Sequence, residues 1–143
     1  MKFENEMQLT FLAKSINESF ARSAVACFIA QLDPTLEELE DIKTAVSEAV
    51  TNCIVHAYPT DLGLITIKCR FLKDNVVDII VKDRGVGIAN VNEALQPMFT
   101  TGGSERSGMG FTIMETFMTN FRVKSMVNRG TTVHMSRKLQ RRK

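Results

Sequence analysis

From Asn5 to Ala13 apolar and polar residues alternate, with Met7, Leu9 and Phe11 on one side and Gln8 and Thr10 on the other. A period of two predicts a half-buried strand. Between Asn17 and Leu32 the apolar positions Phe20, Ala24, Cys27, Phe28 and Leu32 recur at three- and four-residue steps, which predicts an amphipathic helix ending at Asp33-Pro34. A second helix follows and runs to Tyr58, with Leu39, Ile42, Val46, Ala49, Cys53 and Ala57 as its core stripe. Its start admits two readings: Asp33 caps Pro34 at the first helical position, or Thr35 and Glu38 form a capping box. Alternation returns over Leu64 to Leu72 and Val76 to Val81, and the polar turn Lys73-Asp74-Asn75 joins the two as a hairpin.

Six glycines then lie between Asp83 and Gly110, with room only for a short helix near Val91 to Leu95. Such a glycine-rich stretch reads as a functional loop region. A third helix is expected from Met109 to Thr119. A last hairpin, Phe121 to Val127 and Thr131 to Leu139, turns at Asn128-Arg129-Gly130. Strands grouped apart from helices give an α+β fold rather than a βαβ repeat. The expected architecture is a two-layer sandwich, with helices on one face of a mixed, mostly antiparallel sheet.

Composition narrows the class. The 143 residues, 44% hydrophobic and 24% charged, suit one globular domain spanning 1–143, with no linker or internal repeat. No apolar run approaches a membrane span, and MKFENEMQ is unlike a signal peptide, so a cytoplasmic location without membrane contact is expected. The net charge of +2 gives no overall field for nucleic acid, and no direct DNA binding is expected. Arg137, Lys138, Arg141, Arg142 and Lys143 read as a solvated, frayed tail, the eight methionines as core and gap filler, and Cys27, Cys53 and Cys69 as reduced, buried thiols.

Four segments carry candidate chemistry. On the second helix Glu48, Asn52 and His56 are four residues apart and share one face beside the core stripe, which places polar groups at the edge of a pocket. Asp83 opens DRGVG, where a carboxylate at a strand end meets a tight turn permitted by Gly85 and Gly87; an acceptor there suits an exocyclic amine. SGMGF, Ser107 to Phe111, puts Gly108 and Gly110 at a helix start, where free amides and the helix dipole form a phosphate cradle. Gly130-Thr131-Thr132 begins the last strand with hydroxyls beside the same pocket. The Walker pattern and the lysine, HRD and DFG signatures of eukaryotic-type kinases are absent from the sequence.

In this order the four segments resemble the nucleotide site of the GHKL superfamily, with its Bergerat fold, found in DNA gyrase, the large heat-shock chaperone, histidine kinases and mismatch-repair ATPases. The likeness goes further. SEAVTNCIVHAY, DRGVGI, PMFTT, ERSGMGFTIME and GTTV, with NESFAR at 17–22 and AQLDPT at 30–35, resemble the anti-sigma F factors of sporulating bacilli over essentially the whole chain. The lid FTTGGSERSGMG departs from that pattern in being shorter and richer in glycine.

The resemblance implies a protein that binds ATP with Mg²⁺, holds the sporulation sigma factor F inactive, phosphorylates an anti-anti-sigma factor on serine and forms a homodimer. It assigns Asn52 as an oxygen ligand to Mg²⁺, Glu48 as general base and Asp83 as acceptor of the adenine amino group. Gly85, Gly87, Thr100, Thr101, Ser107, Gly108, Met109, Gly110 and Thr131 complete the nucleotide site, Arg106 in the lid meets the γ-phosphate, and Arg22 of NESFAR meets protein partners. Three other activities share these motifs: a nucleotide-dependent binding module without phosphoryl transfer, a detached histidine-kinase catalytic domain, and an ATPase in which the glutamate activates water. Against the second, the chain carries no dimerising helix pair, and neither His56 nor His134 is placed as a phosphoacceptor.

Overall fold

A computed structural model describes residues 3–59, 62–95 and 110–140. Among them the elements run β1 (Asn5–Leu12), α1 (Ile16–Ile29), α2 (Leu36–Asn52), β2 (Leu64–Leu72), β3 (Val76–Asp83), α3 (Val91–Ala94), α4 (Gly110–Phe117), β4 (Asn120–Met126) and β5 (Gly130–Lys138). The strands form one five-stranded sheet in the order β1-β2-β3-β5-β4. Each of the four pairings is antiparallel, so the sheet expected to be mixed has no parallel pair among the described residues.

Alternation along the strands sorts the sheet into two faces. Ile65, Ile67, Cys69 and Phe71 of β2, Val77, Ile79 and Val81 of β3, and Val133 and Met135 of β5 are buried beneath the helices. Val25 and Ile29 of α1, Ile42, Val46 and Val50 of α2, and Met114 of α4 close the core from the other side. Removing each such aliphatic side chain from water contributes about 1.5–3 kcal/mol before entropy is counted. The opposite sheet face is polar. There Asp78 is buried, hydrogen-bonded to His134 Nε2 at 2.5 Å, and Arg122 meets the other ring nitrogen at 2.9 Å.

Local chemistry sets the element ends. At α2 the capping box is the form adopted: the Glu38 amide donates to Thr35 Oγ1 at 3.1 Å and the Thr35 amide to Glu38 Oε1 at 2.8 Å. Glu38 Oε2 also accepts from the Gln140 amide at 2.7 Å, stitching the start of α2 to the second residue beyond β5. Burial alone pushes this carboxyl up, but the Thr35 and Gln140 amides, the Thr35 hydroxyl and Arg137 outweigh it and hold the group below its ordinary value. The β2–β3 turn takes left-handed backbone at Asp74 and Asn75, residue types that tolerate it.

Three expectations change. On α1 the buried stripe is Ala21, Val25 and Ile29, whereas Phe20 is 53% exposed and Cys27 is exposed. Phe28 and Leu32 of the expected stripe still pack, partly buried, against the core, with the Phe28 ring stacked on Phe71 at 4.5 Å. Cys53 and Cys69 are buried as expected. Arg137 and Lys138 do not belong to a frayed tail. Both lie in β5, and Arg137 Nη1 donates to Asp41 Oδ2 at 2.8 Å and to the Phe117 carbonyl at 2.5 Å. Of the methionines, Met114 and Met118 are buried, whereas Met126 is 60% exposed.

Candidate functional site

The end of α2 loosens into a π-helical turn over Cys53–Ala57. Such turns free backbone groups for other partners, and here the Ala57 carbonyl accepts from the Val86 amide at 2.9 Å, bringing the DRGVG loop against the helix. Gly85 is required at that contact, since a Cβ would collide with the Ala57 carbonyl. Gly87 has φ +77°, and a Cβ there would collide with the Met126 carbonyl, so a side chain meets both strain and contact.

Three successive amides of this loop are satisfied by three different groups. Arg84 N–H donates to Tyr58 Oη at 2.8 Å, Gly85 N–H to Asp83 Oδ1 at 2.9 Å, and Val86 N–H to Ala57. Tyr58 Oη also donates to the Leu64 carbonyl at 2.8 Å, tying the loop to the start of β2. Asp83 is 4% exposed and accepts from the Thr131 amide of β5 at 3.1 Å as well. Burial pushes its carboxyl up, and hydrogen bonds from Gly85, the Cys53 thiol and Thr131 counter only part of that rise. Cys53 in turn is pushed well up, first by burial and then by the Asp83 charge.

The cavity bounded by this loop has a volume of about 460 Å³. The sequence-predicted residues Asn52, Asp83, Gly87, Gly110 and Thr131 all line it, from four different parts of the chain. Gly85 lies behind the wall, packed on Ala57. Glu48 sits one turn before Asn52, and a Cβ at Gly110 would be 3.2 Å from Glu48 Oε2 and 3.1 Å from Asn52 Nδ2. The start of α4 therefore passes directly over both polar side chains, and glycine leaves the space between them open. His56 lines the same cavity.

On its other side Glu48 borders a polar groove of about 270 Å³ between α1 and α2, lined also by Arg22, Glu40, Lys43, Thr44 and Ser47. Arg22 rests there beside Glu18, with Nε 3.6 Å from Oε2, and its Nη2 lies 3.3 Å from Ser19 Oγ. The structure thus brings Arg22 and Glu48 to one groove, which helical spacing on separate helices does not show. Thr100, Thr101, Arg106, Ser107, Gly108 and Met109 lie outside the described residues.

Sequence reasoning missed several cavity residues, among them Cys53, Ile88 and Phe111, and two supports behind the wall, Tyr58 and Ser125. Apolar wall residues leave no pattern that separates them from core. For Ser125 a signal exists: counting back from the Asn128-Arg129 turn pairs it with Thr131.

Residues 11–137 match the family described as histidine kinase-like ATPase domain. An anti-sigma F factor of Caldanaerobacter subterraneus is 56% identical over 142 residues, covering 99% of both chains. That of Geobacillus thermodenitrificans is 56% identical over 140 residues, covering 97% of this chain and 96% of its own. This chain belongs to the anti-sigma F factor family. The fold of the family is seen also in distant structures. The RsbU and RsbW domains of a Mycobacterium tuberculosis protein superpose with TM-score 0.72 at 22% identity over 97% of this chain, which spans 34% of that one. A histidine kinase domain from Erythrobacter litoralis gives TM-score 0.59 at 18% identity, covering 85% of this chain and 61% of its own. Among the described residues no helix is long and apolar enough to cross a membrane.

Proposed function

We propose that this anti-sigma F family member, acting as one ATP-binding kinase domain, binds Mg-ATP, holds sigma factor F inactive and phosphorylates an anti-anti-sigma factor on serine. The observation that carries the reading is the position of Glu48. Its carboxylate borders a groove open to a protein partner and lies beside Gly110, which lines the nucleotide-sized cavity. A base there takes the proton of a serine hydroxyl arriving through the groove as the oxygen bonds to the γ-phosphorus and ADP leaves.

The cavity fits the cofactor at both ends. Asp83 faces it as an acceptor for the adenine amine, and the start of α4, kept open by Gly110, offers backbone amides to phosphate. Among the described residues no three acidic, histidine or cysteine side chains cluster as a metal site. That suits Mg²⁺ held by Asn52 together with nucleotide phosphates, where the ion neutralises phosphate charge. Thr100, Thr101, Arg106, Ser107, Gly108 and Met109 complete the phosphate end in this reading. Arg22, at the groove, contacts the protein partners. A homodimer belongs to the reading too, supported by exposed Leu12, Ile16, Phe20 and Leu64 around the start of α1.

The test is incubation with Mg-ATP and the anti-anti-sigma protein, followed by mass spectrometry. A phosphoserine on that protein is expected. ATP hydrolysis without labelling leaves a water-directed ATPase, and binding with neither reaction leaves a nucleotide-dependent binding module.

A further inference from the structure

Ser125 of β4 touches no cavity surface, yet its hydroxyl has three hydrogen-bond partners. The Ile88 amide lies 2.7 Å from Ser125 Oγ, the Gly130 carbonyl 3.1 Å and Thr131 Oγ1 2.7 Å. A serine hydroxyl carries one proton and two lone pairs. The Ile88 amide can only donate, so it takes one lone pair. The Gly130 carbonyl can only accept, so it takes the proton. One lone pair remains for Thr131, which must then donate its own proton to Ser125. All these contacts are part-buried, so water does not readily substitute for them.

The consequence reaches the cavity. Thr131 lines it, and its amide is bonded to Asp83 Oδ1. With its proton turned toward Ser125, Thr131 Oγ1 presents lone pairs rather than a donor to whatever base enters. Two acceptors, the Asp83 carboxylate and the Thr131 hydroxyl, then stand side by side. That pair suits an exocyclic amine, as in adenine, and repels a carbonyl at the same position, as in guanine.

We propose that Ser125 is a specificity-determining positioning residue: by accepting the Thr131 hydroxyl proton in a hydrogen bond it fixes the cavity wall as an acceptor surface and selects 6-aminopurine over 6-oxopurine nucleotides. The same bond to Ile88 fastens the far end of the DRGVGI loop to the β4–β5 hairpin. The inference rests on the nucleotide reading above and adds the origin of its base selectivity.

Calorimetry with ATP and with GTP tests it on the full chain. Ser125→Ala releases the Thr131 hydroxyl to rotate and donate, and the ratio of ATP to GTP affinity is expected to fall about tenfold, the size of one well-made hydrogen bond. Ser125→Thr keeps the hydroxyl and should keep the ratio. Thr131→Val removes the partner, and in that background Ser125→Ala should leave the ratio unchanged, because the coupled pair no longer exists. Equal weakening of ATP and GTP by Ser125→Ala, or no change in either, overturns the proposal. A full Ser125→Ala effect persisting in the Thr131→Val background also overturns it. Should Ser125→Ala not fold, a ratio in Thr131→Val equal to the parent's overturns the proposal, and a lowered one supports it. A parent chain that binds no ATP overturns the functional reading itself; a parent that prefers ATP as strongly as Ser125→Ala overturns this inference alone.

Discussion

The two ends of the cavity are built in different ways. At the end proposed for the base, the Thr131 amide donates to Asp83, and the loop after it donates its amides to Tyr58, Ala57 and Ser125, groups on the α2 end and β4. At the end proposed for the phosphates, Glu48 and Asn52 project from successive turns of one helix, and the start of α4 crosses over them. The base end is a tertiary assembly with its loop amides satisfied. The end proposed for the phosphates is a helical repeat, with its polar side chains borne on successive turns of one helix. In the proposed function, selection and reaction are thereby separable, since each end is built from groups the other does not share.

The largest expected effect tests the reactive end. Glu48→Gln keeps the shape and removes the basicity, so phosphoryl transfer to serine should fall about 10²- to 10⁴-fold while ATP affinity is retained. Rapid-mixing kinetics alongside calorimetry would check this. A parental rate would remove Glu48 as the base, and loss of ATP binding would show that the two ends are not separable.

Asp83→Asn is the matching change at the base end. Losing a charged acceptor should cost about tenfold to a hundredfold in ATP affinity and much less in GTP affinity. Equal losses would take Asp83 out of base recognition. The same variant carries a pH signature. Because burial holds the Asp83 carboxyl above its ordinary value, its contribution to stability is present below that value and lost as the pH rises through the raised one. Asp83→Asn should therefore gain stability relative to the parent as pH rises, read from denaturant midpoints across the acid range. An unchanged difference would mean that the carboxyl is not perturbed.

The smallest effect concerns the outer fastening of the loop. Tyr58→Phe removes the acceptor of the Arg84 amide and the donor to Leu64. Both bonds are at the exposed edge, where water can take over, so ATP affinity should drop only about two- to tenfold with the transfer rate of the bound complex unchanged. A reduced rate at saturating ATP would mean that strain at the base end is felt at the reacting end.

The two helices that frame the groove show how far pattern alone carries. On α2 the core stripe from Ile42 to Ala57 and the polar stripe of Glu48, Asn52 and His56 were legible, because helical periodicity and side-chain burial agree there. On α1 the same reasoning chose Phe20 and Cys27 for the core, but the helix turns Ala21, Val25 and Ile29 inward and leaves Phe20 exposed. Phe28 and Leu32 of that stripe do pack against the core, and the remaining phase depends on what the helix packs against, which sequence does not show. The hairpins were legible from alternation and from Asp, Asn and Gly at their turns, and these patterns placed Asp83 and Thr131 at strand ends.

The sequence by itself determined the elements, the Glu48–Asn52 spacing and the resemblance that names the family, since these depend on local periodicity and on motifs written in order. The links that hold the wall from behind to the DRGVGI loop come from tertiary structure. Ser125 lies 37 residues from Ile88, and Tyr58 lies 26 residues from Arg84. No local period links such pairs; sheet register and the π-helical turn bring them within hydrogen-bond distance. The capping choice at Thr35, the burial of Glu38 beneath Gln140 and the joining of Arg22 with Glu48 at one groove are of the same kind. Each depends on where separate elements come to rest against a common core, and that is set by the sum of many weak packing contacts rather than by any segment read alone.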